Sequence, residues 1–76
     1  MATLSELKEL MCSVGIDAEL VKDLDPAKPL LQQGVDSVDF PAFALALEAR
    51  YGIKVSDADS LRLKTLDDFL SFIAAA

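Results

Sequence analysis

The sequence has no histidine, a single cysteine and no long apolar run, and each absence removes a class of function. Without histidine, a serine nucleophile lacks its usual general base, and no GxSxG elbow presents one. Cys12 is alone and cannot close an internal disulfide, which suits a reducing cytoplasm. The unbroken apolar stretches are a few residues long, far short of the ~20 needed to cross a bilayer. The N-terminal stretch has no basic segment followed by an apolar one, so no signal peptide is expected. Basic side chains are also scarce: 7 against 13 acidic ones, for a net charge of −6. Such a surface repels nucleic-acid phosphates and anionic membranes. It favours solubility, and it attracts basic surfaces on partner proteins.

What is present is enough apolar material for one core. The chain has 76 residues, of which 53% are hydrophobic. A chain of this size buries only roughly 60–65% of its unfolded surface, so residues 1–76 form a single domain.

Helical spacing dominates the pattern. Thr3 and Glu6 form a capping box, Leu4, Leu7, Met11 and Val14 follow at helical intervals, and Gly15 supplies the stop. Asp17 caps a short turn carrying Leu20, Val21 and Leu24, and Pro26 and Pro29 prevent its continuation. Leu30 and Leu31, in a loop unusually long for so small a domain, are expected to plug an open end of a bundle. From Val38 to Tyr51, Phe40, Phe43, Ala44, Leu47 and Tyr51 share a face, and Gly52 ends the helix. Ile53 and Val55 follow as buried loop residues, and Ser56 or Asp57 caps a short helix. Thr65 caps a last one with Leu66, Phe69, Leu70 and Ile73 inward. The terminal alanines read as a frayed end. The expected fold is all-α, a small bundle of three main helices plus one short helix.

Few groupings carry chemistry. Asp57, Asp59 and Asp68 imitate part of a calcium loop, but Arg62 stands where that loop needs glycine, and Asp68 is too short for a bidentate ligand. Asp36 and Asp39 read as solvated carboxylates at the positive end of a helix. Cys12, off the apolar stripe, is an incidental thiol.

Two features of the middle helix remain. Asp36 and Ser37 stand where it begins, and Ser37 is either a cap or the bearer of a phosphate ester. Opposite the core stripe lie Val38, Ala42, Leu45 and Ala49, flanked by Asp39 and Glu48. An apolar strip edged by carboxylates suits a docking surface, although alanine is at home anywhere in a helix.

Pro41 is the local oddity. Were the helix to start at Asp36, Pro41 would lack the N–H due to the Ser37 carbonyl and crowd it, at about 3 kcal/mol. A later start, with Asp39 as cap and Pro41 in the first turn, avoids this. Ser37 and Val38 are then expected in a looser segment or a distorted first turn.

"GVDSV", then an apolar helix ending "LEARYG", then "IKVSDAD" and a capped "TLDDFLSFI", resembles the acyl carrier proteins. The similarity covers nearly the whole chain and is firmest from Gly34 to Ile73. The family's Asp-Ser-Leu motif reads here Asp36-Ser37-Val38. The resemblance implies that Ser37 takes a covalent 4′-phosphopantetheine from coenzyme A, transferred by a separate phosphopantetheinyl transferase that brings the missing base. It implies that the chain is a carrier rather than an enzyme, holding acyl groups as thioesters; a cytoplasmic monomer is expected. Asp36 would position the transferase. Val38, Leu45 and Glu48 match partner-facing positions, with Asp39 at their edge, and would meet acyl-transferring or acyl-modifying enzymes with basic docking surfaces.

Several residues depart from the family pattern. Gln33 replaces a leucine, Ala42 and Ala49 replace glutamates, Pro41 replaces an ordinary apolar residue, and Arg50 adds a positive charge. These point to a specialised stand-alone carrier for a polyketide, lipid-modification or related pathway rather than the general fatty-acid carrier. An aminoacyl carrier of nonribosomal peptide assembly, or an unmodified helical adaptor with Ser37 as a cap, are the other readings. The aromatic bulk of Phe40, Phe43, Phe69 and Phe72 predicts a poor fit for long acyl chains.

Overall fold

The computed structural model describes residues 2–76. Five α-helices run in the order α1 (Leu4–Ser13), α2 (Ala18–Lys22), α3 (Asp39–Tyr51), α4 (Asp57–Ser60) and α5 (Leu66–Ala75). No strand forms among the described residues. The three long helices match the expected bundle, and two short helices rather than one join them.

α1 starts where the capping box places it. The Thr3 hydroxyl accepts from the Glu6 amide at 3.2 Å, and Glu6 Oε1 accepts from the Thr3 amide at 3.1 Å. Its inner face sets Leu7 and Met11 fully out of solvent, and α1 packs against α2, α3 and α5. The core joins these two residues to Val21 of α2, Phe43 and Leu47 of α3, and Leu66 and Phe69 of α5, with Ile16, Leu24, Leu30, Val35 and Leu63 added from the connections. The Phe43 and Phe69 rings meet edge to face with centroids 5.1 Å apart. Burying one such side chain contributes about 1.5–3 kcal/mol, and an edge-to-face ring pair about 0.5–1.5 kcal/mol beyond that.

Leu30 is fully buried, but Leu31 is 56% exposed, so only one of the two expected plugs is a plug. The reason is a 3₁₀ turn over Leu30–Gln33. Its tight winding turns consecutive side chains in different directions. Gly34 leaves this turn at φ +100°, where a side chain would be strained and where an added Cβ would meet Leu20 at 3.4 Å.

The long connection from α2 to α3 is tightly fastened. Leu30 N–H donates to the Lys64 carbonyl at 2.8 Å, and Asp67 N–H to the Pro26 carbonyl at 3.0 Å. Gln33 does the rest. Its Oε1 accepts from the Asp25 amide at 2.7 Å, and its Nε2 donates to the carbonyls of Asp25 and Lys28, each at 3.0 Å. A polar side chain therefore takes the position at which the resemblance would place a leucine, and it works by bonding backbone rather than by packing.

Two smaller expectations are corrected, and one alternative is decided. Ile53 and Val55 are half-buried rather than buried. Ser56, not Asp57, caps α4. Ala74 and Ala75 belong to α5, whose packed inner face carries the helix through them.

Candidate functional site

Val35 is buried and its amide bonds the Leu30 carbonyl at 3.3 Å, so the chain is anchored immediately before Asp36. From that anchor, Asp36, Ser37 and Val38 rise to the surface, all three exposed. The Asp36 carboxylate accepts from the Val38 amide at 3.2 Å. The next two amides, of Asp39 and Phe40, donate to the carbonyls of Asp36 and Ser37. This is a turn with i to i+3 bonds, tighter than α-helix.

The helix start is displaced as Pro41 requires. Regular α-helix begins at Asp39, which makes Pro41 its third residue, where a missing N–H leaves no carbonyl unserved. One detail differs from expectation: Val38 rather than Asp39 occupies the cap position, and α3 has no side-chain cap bond. The Asp36 side chain, bonded to Val38, closes the preceding turn instead. Ser37 is thereby released from capping, and its hydroxyl is free at the surface.

The fit to a phosphate ester is decided by the same bonds. The amides of Val38, Asp39 and Phe40 are already donating, and Pro41 has none. A phosphate on Ser37 would gain from the helix dipole but would find few unused N–H groups. With Asp36 and Asp39 beside it, the turn presents an acidic rim to any enzyme approaching the hydroxyl.

Along α3 from this turn, Val38 and Leu45 are 73% and 66% exposed, with Ala42 and Ala49 also facing water. Asp39 and Glu48 are half-buried at the edges of the strip. Glu48 is partly committed, since its Oε2 accepts from the Val55 amide at 2.7 Å and ties the α3–α4 connection to α3. Arg50 turns away to Glu6 across the bundle, at 3.5 Å, and so does not add its charge to the strip. Tyr51 joins the same cluster, its hydroxyl donating to Glu6 Oε1 at 3.2 Å. Burial and then the Glu6 carboxylate raise the Tyr51 pKa above its ordinary value.

A feature that sequence patterning did not reveal lies beside Ser37. A cleft of about 330 Å³ opens at that residue and runs between α3 and α4. Phe40, Pro41, Ala44 and Leu45 form one wall, Ser56, Asp57 and Ser60 the other, and Phe69 lies at its base. The hydroxyl-rich run after Gly52 was the available signal, but no periodicity tells which helix it will face. Cys12 is exposed and lines no part of this cleft.

The protein-family model described as "Phosphopantetheine attachment site" matches residues 5–73. Among curated proteins, the acyl carrier protein of Solidesulfovibrio magneticus is 31% identical over 74 residues, covering 96% of this chain and 92% of that one. The acyl carrier protein of Thermotoga maritima is 31% identical over 70 residues, covering 91% and 84%. That of Campylobacter jejuni strain RM1221 is 31% identical over 74 residues, covering 96% and 94%.

Proposed function

The chain belongs to the phosphopantetheine-attachment family of acyl carrier proteins, and we propose that Ser37 is the residue to which its 4′-phosphopantetheine is joined. The observation that carries this is the use of the side chains at the start of α3. Asp36 closes the turn, α3 takes no side-chain cap, and the Ser37 hydroxyl is left exposed and without structural duty. In the attachment step Ser37 Oγ bonds to the phosphorus of coenzyme A's pantetheine phosphate, the diphosphate bond breaks, and adenosine 3′,5′-bisphosphate leaves. The chain has no histidine to take the serine proton, which passes to a base on the transferase. When bound, the arm supplies a terminal thiol that holds acyl groups as thioesters.

The remaining roles rest on placement. Val38 and Leu45 offer apolar contact, while Asp36, Asp39 and the outer part of Glu48 offer charge to a basic partner surface. Ala42 and Ala49 make this strip more apolar than an all-acidic one. That supports a specialised acyl carrier of a polyketide or lipid-modifying route.

Intact-mass measurement after incubation with coenzyme A and a broad-specificity transferase tests the assignment. One arm is expected on the wild type and none on Ser37→Ala. A wild type that several transferases fail to load would leave a helical adaptor in its place. Docking is tested by Leu45→Glu, which should change stability by no more than about 0.5 kcal/mol yet slow loading. Unfolding of that variant would show Leu45 to be needed by the core.

A further inference from the structure

We propose that Gln33 is a positioning residue for arm attachment, its amide latching the loop from which the Ser37 turn departs. This rests on Ser37 as the attachment site and adds what holds that site in place for a transferase.

The Ser37 turn does little to hold itself. Asp36, Ser37 and Val38 are all exposed and bring no side chain to the core. The turn closes on i to i+3 bonds of 3.0 and 3.3 Å, and α3 has no side-chain cap to steady it. Bonds of this kind are poorly aligned and sustain only short turns. The place of Ser37 is therefore set from its two ends. Downstream, Phe40 meets Phe69 edge to face with ring centroids 6.5 Å apart. Upstream, the chain runs back through buried Val35 to the single 3₁₀ turn that ends at Gln33. The Val35 amide reaches the Leu30 carbonyl only at 3.3 Å.

That upstream end is secured by chemistry particular to a carboxamide. The Gln33 Oε1 accepts from the Asp25 amide at 2.7 Å, and Nε2 donates to the carbonyls of Asp25 and Lys28, each at 3.0 Å. A side-chain amide has two N–H donors, one for each of these carbonyls. Glutamate would keep the acceptor and lose both donors. The leucine of the family pattern would lose all three bonds. The half-buried Asp25 amide would then find a partner only by opening the loop to water, because a buried unpaired donor is costly.

Leu30 and Gln33 fasten the same 3₁₀ turn on two sides. The Leu30 amide ties it to the Lys64 carbonyl ahead of α5 at 2.8 Å, and the Gln33 side chain ties it to the segment leaving α2. Gly34 follows at once, and then Val35, Asp36 and Ser37. Release of Gln33 therefore passes along the backbone to the serine. A transferase that meets a wandering serine must select its competent position. That weakens apparent binding and leaves the chemical step unchanged.

Initial rates of arm transfer from coenzyme A, read by intact mass against carrier concentration, test this. The proteins are the wild type, Gln33→Ala, Gln33→Leu and Thr65→Ala, which weakens α5 without touching the latch. All are compared at a temperature where far-UV circular dichroism shows them folded. Both Gln33 variants should raise the KM for the carrier about tenfold, with kcat within about twofold of wild type. Thr65→Ala should keep the wild-type KM. The amides of Val35, Asp39 and Phe40 should exchange with deuterium faster in the Gln33 variants alone. A wild-type KM in both Gln33 variants would overturn the proposal. An equal rise in Thr65→Ala would also overturn it, since general destabilisation would then explain the effect. Unfolding of both Gln33 variants would make the residue structural, with the same consequence. A wild type that gains no mass is a separate result, seen before any rate is measured, and it removes the Ser37 assignment and this proposal together.

Discussion

Two helix starts in this molecule use the same residue types in opposite ways. At α5, the Thr65 hydroxyl accepts from the Asp68 amide at 2.9 Å, and Asp68 Oδ2 accepts from the amides of Thr65 and Lys64, each at 3.0 Å. Both side chains of the pair serve the backbone there. At α3, Asp36 also serves an amide, but the serine beside it serves none, and the helix proper begins two residues later at Asp39. The difference lies in the residues downstream of each hydroxyl. Thr65 leads directly into Leu66 and Phe69, both buried, so its helix is fixed from the first turn. Ser37 precedes a Phe-Pro pair that bars regular helix until Pro41 falls within the first turn. A hydroxyl left outside the helix is a hydroxyl available to another enzyme.

The contrast predicts different losses at the two ends. Ser37→Ala should abolish arm attachment completely while leaving the denaturation midpoint unchanged to within about 0.5 kcal/mol. A loss of stability as large as that of a cap would mean that Ser37 is structural after all.

Gln33→Ala should lower stability by about 1–2 kcal/mol in urea denaturation, because it leaves the half-buried Asp25 amide without its partner and removes the side-chain donor to the Asp25 and Lys28 carbonyls. The same variant would show whether the Ser37 turn depends on the clamp beneath it, through slower loading. Thr65→Ala should cost about 1 kcal/mol and load at the wild-type rate, the reverse of Ser37→Ala.

The smallest effect is one of pH. The backbone N–H of Lys64, helped by the amide and hydroxyl of Thr65 and opposed by partial burial, holds the Asp68 carboxyl below its ordinary range. Its pKa is lower folded than unfolded. The stability it contributes is therefore present above the unfolded value of about 3.9 and is lost as pH falls through the folded one. Thermal midpoints measured from about pH 6 downward should fall below about pH 4. Asp68→Asn should flatten that acid slope, and an unchanged slope would assign it to other carboxylates.

Periodicity and punctuation made most of the fold legible. Leu4, Leu7 and Met11, or Leu66, Phe69 and Ile73, announce a buried face whatever they pack against, because a helix repeats every 3.6 residues. Thr3 with Glu6, and Thr65 ahead of its apolar run, mark helix starts within four residues of chain. Pro41 likewise displaces its helix by local sterics alone. The exposure of Val38 and Leu45 came from the same wheel, since Phe43 and Leu47 claim the opposite side.

The features that escaped are those joining residues distant in sequence. Gln33 reads as an ordinary polar loop residue until the turn brings Asp25 and Lys28 around it. Leu30 and Leu31 are equivalent as letters, and only the 3₁₀ winding against the Lys64 carbonyl buries one and exposes the other. Glu48 reads as a charge on an outer face, yet its carboxylate reaches Val55. The cleft beside Ser37 needs Ser56 and Ser60 to face Phe40 and Leu45 across a gap, with Phe69 beneath, and no repeat in the chain encodes that meeting. Local backbone energetics are written residue by residue and can be read in the order of the chain. Hydrogen bonds and cavities between elements exist only after packing has chosen which faces meet, and that choice is made by the whole core at once.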